Sequence, residues 1–152
     1  MTKFVTTTES IFDLDVECLV NPVNCVGVMG AGLAKEFKLR YPDLFESYKD
    51  WCWSSHIPVA GMCFVWTNNS VSDPVIIINV ATKTHWKDQS KHEDIINGLI
   101  NIKEIISDWG LCSIAVPKLG CGLGGLDWNK IRPSVEEILG EFDDKLTVYL
   151  YD

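Results

Sequence analysis

Apolar residues along this chain fall into two alternating rhythms. Residues 4–7 form a short β-type run, and residues 16–20 form an apolar run leading into Asn21-Pro22-Val23-Asn24. From 31 to 41 the spacing turns helical, with Leu33, Phe37 and Tyr41 on one face. Pro42 is a helix stop for that run, and 43–53 reads as a second helix with Leu44, Tyr48, Trp51 and Cys52 inward. A loop over 56–61, a strand over 62–67 and a turn over 68–73 follow. The β-branched run at 75–80 is the pattern of a strand covered on both faces. Residues 90–109 predict a long amphipathic helix with Ile95, Leu99, Ile102 and Ile106 as its buried stripe. Gly110 ends it. A second buried strand at 112–116 precedes a helix from 127 or 128 to 142, with Pro133 tolerated in its first turns. A closing strand covers 146–151.

Strands therefore alternate with helices, and two strands look covered on both faces. That predicts a single domain over 1–152 of the α/β class: three layers, α/β/α, around a central mixed sheet. With 152 residues and 47% hydrophobic content the chain can bury a sizeable core. No apolar run reaches membrane-spanning length, and the N-terminus lacks a signal peptide's apolar stretch. The expectation is a cytoplasmic monomer without membrane association. The net charge of −8 argues against coating nucleic acid by phosphate neutralisation, but allows one modified nucleotide to enter a pocket. Six cysteines at 18, 25, 52, 63, 112 and 121 form no CxxC pair and are expected as small buried hydrophobes. His56, His85 and His92 show no metal-ligand spacing with them, so no metal site is predicted.

Two loops ask for an anion. The first, residues 24–34, lies between a strand and a helix. Gly27, Gly30 and Gly32 permit positive φ and close approach of a ligand to the backbone. The helix after it directs free N–H groups and its positive dipole end at the loop. The second, residues 117–127, carries Leu119-Gly120-Cys121-Gly122-Leu123-Gly124 and also joins a buried strand to a helix. Ligands of open α/β sheets sit beyond the carboxyl ends of strands, so the pair can grip a diphosphate from both sides. Neither loop carries GKS or GKT, and the GxGxxG dinucleotide pattern does not fit the second.

Leu19-Val-Asn-Pro-Val-Asn24, Gly27-Val-Met-Gly-Ala-Gly-Leu-Ala34 and Pro117-Lys-Leu-Gly-Cys-Gly-Leu-Gly-Gly-Leu-Asp-Trp128 together resemble the macrodomain family. The resemblance extends over nearly the whole chain. It implies ADP-ribose as ligand or product, with no cofactor. The Val-Met-Gly-Ala-Gly wording resembles the branch holding the DarG-type antitoxin macrodomains and the terminal ADP-ribose glycohydrolases. In that branch a lysine in a Thr-Lys string is catalytic, which implies that role for Lys83 in Thr82-Lys-Thr-His-Trp86. As the glycosidic bond breaks, the anomeric carbon becomes cationic. An amine whose pKa is lowered by burial or a second cation can attack it or position water. The terminal glycohydrolases place a catalytic aspartate where this chain has Gly124, so their lysine–aspartate pair does not carry over.

The resemblance to the DarG type implies removal of ADP-ribose from thymidine in DNA, with ADP-ribosylated single-stranded DNA as partner. Phosphatase action on ADP-ribose 1″-phosphate and non-catalytic reading of ADP-ribose stay open. The expected ligand-binding set is Asn24, Gly30, Ala31, Gly32 and Leu33 from the first loop and Leu119 to Gly124 from the second. Asn21 and Asn24 bond either the distal ribose or the loop backbone. His85 and Trp86 either stack on a base or cover the sheet edge. Ser10 and Ile11 stand where many macrodomains carry an adenine-binding aspartate, so adenine contacts there would run through backbone N–H groups. Asp127 is expected as a helix N-cap rather than an acid or base.

Overall fold

The computed structural model describes residues 1–54, 57–143 and 145–151. Six strands form one sheet: β1 (Lys3–Thr7), β2 (Cys18–Asn24), β3 (Cys63–Thr67), β4 (Ile76–Lys83), β5 (Ser113–Ala115) and β6 (Thr147–Tyr151). Their spatial order is β1-β6-β5-β2-β4-β3. All neighbours run parallel except β3 against β4. The sheet is mixed, as expected.

Helices α1 (Gly32–Arg40) and α2 (Pro42–Cys52) cover one face; α3 (His92–Trp109) and α4 (Trp128–Leu139) cover the other. Side-chain alternation in β2 shows how both faces are filled. Cys18 and Val20 join Leu99, Ile102 and Val135 on the α3–α4 side. Leu19 packs with Phe37 and Leu44 of α1 and α2. Burying each such side chain contributes about 1.5–3 kcal/mol. The fold is therefore the three-layer α/β class that the rhythm predicted.

Several boundaries differ from expectation. β2 does not stop at residue 20 but continues through Pro22 to Asn24. It pairs with β5 only at Cys18 and Leu19, so Pro22 lies where that edge has no ladder partner and its missing N–H costs little. β4 likewise runs on to Lys83, which makes Lys83 a strand-end residue. α3 begins at His92 rather than at Ser90, and α4 ends at Leu139 before Gly140. A single 3-10 turn at Ile11–Asp13 had no signal in the pattern. Of the loop expected over 56–61, His56 lies outside the described residues. Cys18, Cys25 and Cys52 are buried and Cys63 and Cys121 half-buried, but Cys112, just before β5, is exposed, against expectation. Burial raises the Cys25 thiol to about 11 and the Cys63 thiol to about 12, so both behave as inert apolar groups. Among the described residues, no helix is long and apolar enough to cross a membrane.

Candidate ligand-binding and active site

Three neighbouring strands, β5, β2 and β4, carry their carboxyl ends to one edge of the sheet. The second glycine loop follows β5, the first follows β2, and Lys83 ends β4. Topology alone thus brings together three features far apart in sequence. Between them lies a cavity of about 650 Å³, the size range of small-molecule sites.

Asn24 builds the first loop from inside. Its Nδ2 donates to Val28 O at 2.9 Å, and its Oδ1 accepts from Val26 N at 3.1 Å and Val28 N at 3.3 Å. The Tyr48 hydroxyl on α2 donates to Asn24 O at 2.6 Å. Burial raises the Tyr48 phenol far above its ordinary value, so it stays a protonated donor. Cys25 N donates to Thr84 O at 2.9 Å, tying the loop to the segment beyond Lys83. Gly27, at φ +78, presses on α2: a Cβ there would sit 3.2 Å from Lys49 Cα. Tyr48→Phe leaves the Asn24 carbonyl without its buried donor, at a cost of about 1–3 kcal/mol. The expected result is a lower melting temperature and faster amide exchange in residues 25–31, measured by calorimetry and hydrogen exchange.

Loop geometry then frees backbone donors. α1 has Ala31 as N-cap, with no side chain occupying its first N–H groups. Among the described residues, the N–H groups of Gly30, Ala31 and Gly32 donate to no acceptor, nor do those of Gly122, Leu123 and Gly124. All six residues line the cavity. Amides facing from two sides, plus the positive end of α1, make a seat for an extended anion. Of the three glycines that permit positive φ in the first loop, Gly27 and Gly32 use it.

The second loop is held from behind. Leu126 N donates to Gly120 O and Ser90 N to Gly124 O, both at 2.9 Å. Gly124 is pressed so closely that a Cβ there would overlap Ser90 Oγ and lie 2.5 Å from Gly120 O. This backbone has no room for an aspartate at 124. Asp127 caps α4, its Oδ1 accepting from Asn129 N at 3.0 Å.

A β-bulge places the lysine. The register of β2 against β4 shifts between Val23 and Asn24, so Asn24 pairs with Lys83 and Thr82 is the extra residue. The bulge breaks strict alternation, and consecutive Thr82 and Lys83 both line the cavity. Thr82 Oγ1 donates to Val23 O at 3.3 Å, locking the bulge. Lys83 and Lys118 are the charged side chains in the lining, and no carboxylate joins them. The Cys121 thiol also lines the cavity. Burial, then Asp127, raises its pKa against the opposing effect of Lys118, so it is a poor nucleophile.

Of the expected site residues, Lys83, Asn24, Gly30, Ala31, Gly32, Leu33, Gly120, Cys121, Gly122, Leu123, Gly124 and Trp86 meet at the cavity. The others lie outside its lining. Asn21 is fully buried in the sheet, its Nδ2 donating to Asn79 Oδ1 at 3.0 Å, because β2 continues past it as strand. Ser10 caps the 3-10 turn by accepting from Phe12 N, and Ile11 is 4% exposed in the core against Phe37. Leu119 is also core, packed with α3 and α4. The His85 ring stacks on Trp86 at 5.2 Å, and its Nδ1 accepts from Lys87 N. Pattern reading missed Pro22, Val23, Val28, Ala34, Thr82, Pro117 and Lys118. Lys118 had a usable signal: it is the first charged side chain after a buried strand that opens a glycine loop. The bulge at Thr82 left none.

A three-layer α/β domain that faces two amide-rich loops across the carboxyl ends of its central strands is built to hold a nucleotide-like anion. The Macro domain family model matches residues 20–134, and the chain belongs to that family. It is 42% identical over 130 residues to a Mycobacterium tuberculosis protein named DNA ADP-ribosyl glycohydrolase, covering 86% of this chain and 37% of that protein. The structure superposes on the macrodomain of Mycobacterium tuberculosis DarG with a TM-score of 0.91 at 37% identity, over 99% of this chain and 97% of that one. It superposes on Thermosipho africanus DarTG in complex with ADP-ribose with a TM-score of 0.88 at 31% identity, over 97% and 41% respectively. The chain thus spans well under half the length of the curated relatives it matches.

Proposed function

We propose that this macrodomain hydrolyses the glycosidic bond joining ADP-ribose to a thymidine base in DNA. The observation that carries the reading is Lys83, set by the bulge into a cavity whose two loops offer six unpaired amides. The amides and the α1 terminus take the diphosphate. The distal ribose then lies toward the end of β4. There the Lys83 amine either attacks the anomeric carbon, forming a bond that water then hydrolyses to restore the amine, or aligns the water that attacks directly. The bond from that carbon to the base breaks, the base takes up a proton, and free ADP-ribose leaves. Water is the only co-reactant.

The names of relatives at 36–42% identity, each a DNA ADP-ribosyl glycohydrolase, support DNA as the modified target. So does Trp86, which lines the cavity, is 49% exposed and offers a flat face for the leaving thymine. DNA reaches the site as a single strand, because a paired base is inaccessible. The reading needs no second subunit.

A turnover panel tests the linkage. Wild-type protein is expected to release ADP-ribose from ADP-ribosylated thymidine DNA far faster than from ADP-ribosylated protein. It is also expected to leave ADP-ribose 1″-phosphate intact. Preferential hydrolysis of the phosphate ester would replace this reading with a phosphatase; binding without turnover on any arm would replace it with an ADP-ribose reader.

A further inference from the structure

On the far side of the first loop from the cavity lies a groove of about 290 Å³. The two share Val28 and Gly30 in their walls, so one loop separates them. The charged groups lining the groove are Lys38 and Lys49; those lining the cavity are Lys83 and Lys118. In a chain of net charge −8 with 21 acidic residues, four lysines line these two adjoining surfaces and no carboxylate does. Among the described residues, neither Lys38 nor Lys49 is ion-paired. The Lys38 ammonium instead stands 4.1 Å over the Phe45 ring.

The groove also has a fixed aromatic plane. Trp53 is 74% exposed, yet its indole Nε1 donates to Val26 O at 3.2 Å, which holds the ring against the first loop. A large exposed apolar ring held in one orientation is a stacking platform. Trp86 stands at the cavity with the Lys87 ammonium 5.0 Å from its ring centre. An aromatic ring beside a lysine thus flanks the first loop on both sides.

We propose that this groove is a subsite for single-stranded DNA next to the modified base. The inference rests on the glycohydrolase reading. Lys38 and Lys49 take backbone phosphates of flanking nucleotides, and Trp53 stacks on a flanking base. The overall acidic surface confines the strand to this short track. That explains how a chain of net charge −8 engages a polyanion at one place only.

Lys38→Gln/Lys49→Gln and Trp53→Ala test it on two substrates: ADP-ribosylated thymidine nucleoside, and the same unit inside a short single-stranded oligonucleotide. The expected result for the double variant is unchanged kcat/KM on the nucleoside and about a tenfold loss on the oligonucleotide, carried by KM. Its log kcat/KM against log salt becomes shallower by about 1.4, two phosphates at about 0.7 each. Trp53→Ala is expected to raise KM on the oligonucleotide without changing the salt slope. Equal oligonucleotide kinetics and salt slopes in wild type and double variant would overturn the subsite while leaving the glycohydrolase reading intact. Loss on an ADP-ribosylated acidic peptide in place of the oligonucleotide would overturn it in favour of a peptide surface. Wild type inert on both thymidine substrates would overturn both readings.

Discussion

Lys83→Ala is expected to lose ADP-ribose release by about 10²–10⁴-fold, the scale of removing a group that acts in the transition state. ADP-ribose binding should survive, because the six amides and the α1 terminus that hold the anion are untouched. Calorimetric affinity close to wild type, alongside turnover lowered by that factor, is the expected pair of results. Folding should survive too: Lys83 is half-buried at the end of β4, and β4 is secured by its ladders to β2 and β3. The variant therefore separates a role in bond breaking from a role in seating the ligand. A proportional fall in affinity and turnover would instead give Lys83 a role in seating the ligand.

Gly124→Asp carries the second large effect, and its sign runs against intuition from sequence. The substitution restores the aspartate of the terminal glycohydrolases beside a lysine, yet it is expected to damage the site. The new Cβ would overlap Ser90 Oγ and stand 2.5 Å from Gly120 O, so loop and Ser90 must move apart. Ser90 is itself anchored by its N–H to Gly124 O and sits two residues before α3, so it has little freedom to yield. The amides of Gly122, Leu123 and Gly124 then lose their common aim. Affinity for ADP-ribose is expected to fall at least about tenfold, or about 1.4 kcal/mol, with no gain in turnover. Calorimetry with ADP-ribose checks it; wild-type affinity together with faster release would show that the loop accommodates a lysine–aspartate pair.

The layered α/β fold was legible because burial imposes period two on strands and 3.6 on helices. The run at 90–109 carries the helical period plainly, and the continuous β-branched run at 75–80 marks a strand covered on both faces. Both glycine loops were legible for a related reason: glycines between a buried strand and a helix mark backbone that a ligand approaches. What escaped was set by tertiary pairing. Asn21-Pro22 reads locally as a turn, yet β4 on one side keeps it in the sheet while β5 ends early on the other. That continuation buries the Asn21 amide against Asn79 and leaves Asn24 to build the loop. The bulge that puts Thr82 and Lys83 side by side in the lining is a register event between two strands, which no single segment encodes. The side chains of Leu119 and Ile11 belong to the core, so only their backbone groups are left to meet a ligand.

The central claim is that Lys83 turns an ADP-ribose seat into a site that cuts the bond to a thymidine base. It is tested most directly by incubating wild type and Lys83→Ala, side by side, with a single-stranded oligonucleotide carrying ADP-ribosylated thymidine. The expected result is free ADP-ribose and unmodified oligonucleotide from the wild type alone, with both proteins binding ADP-ribose. Equal release by the two proteins would contradict the account.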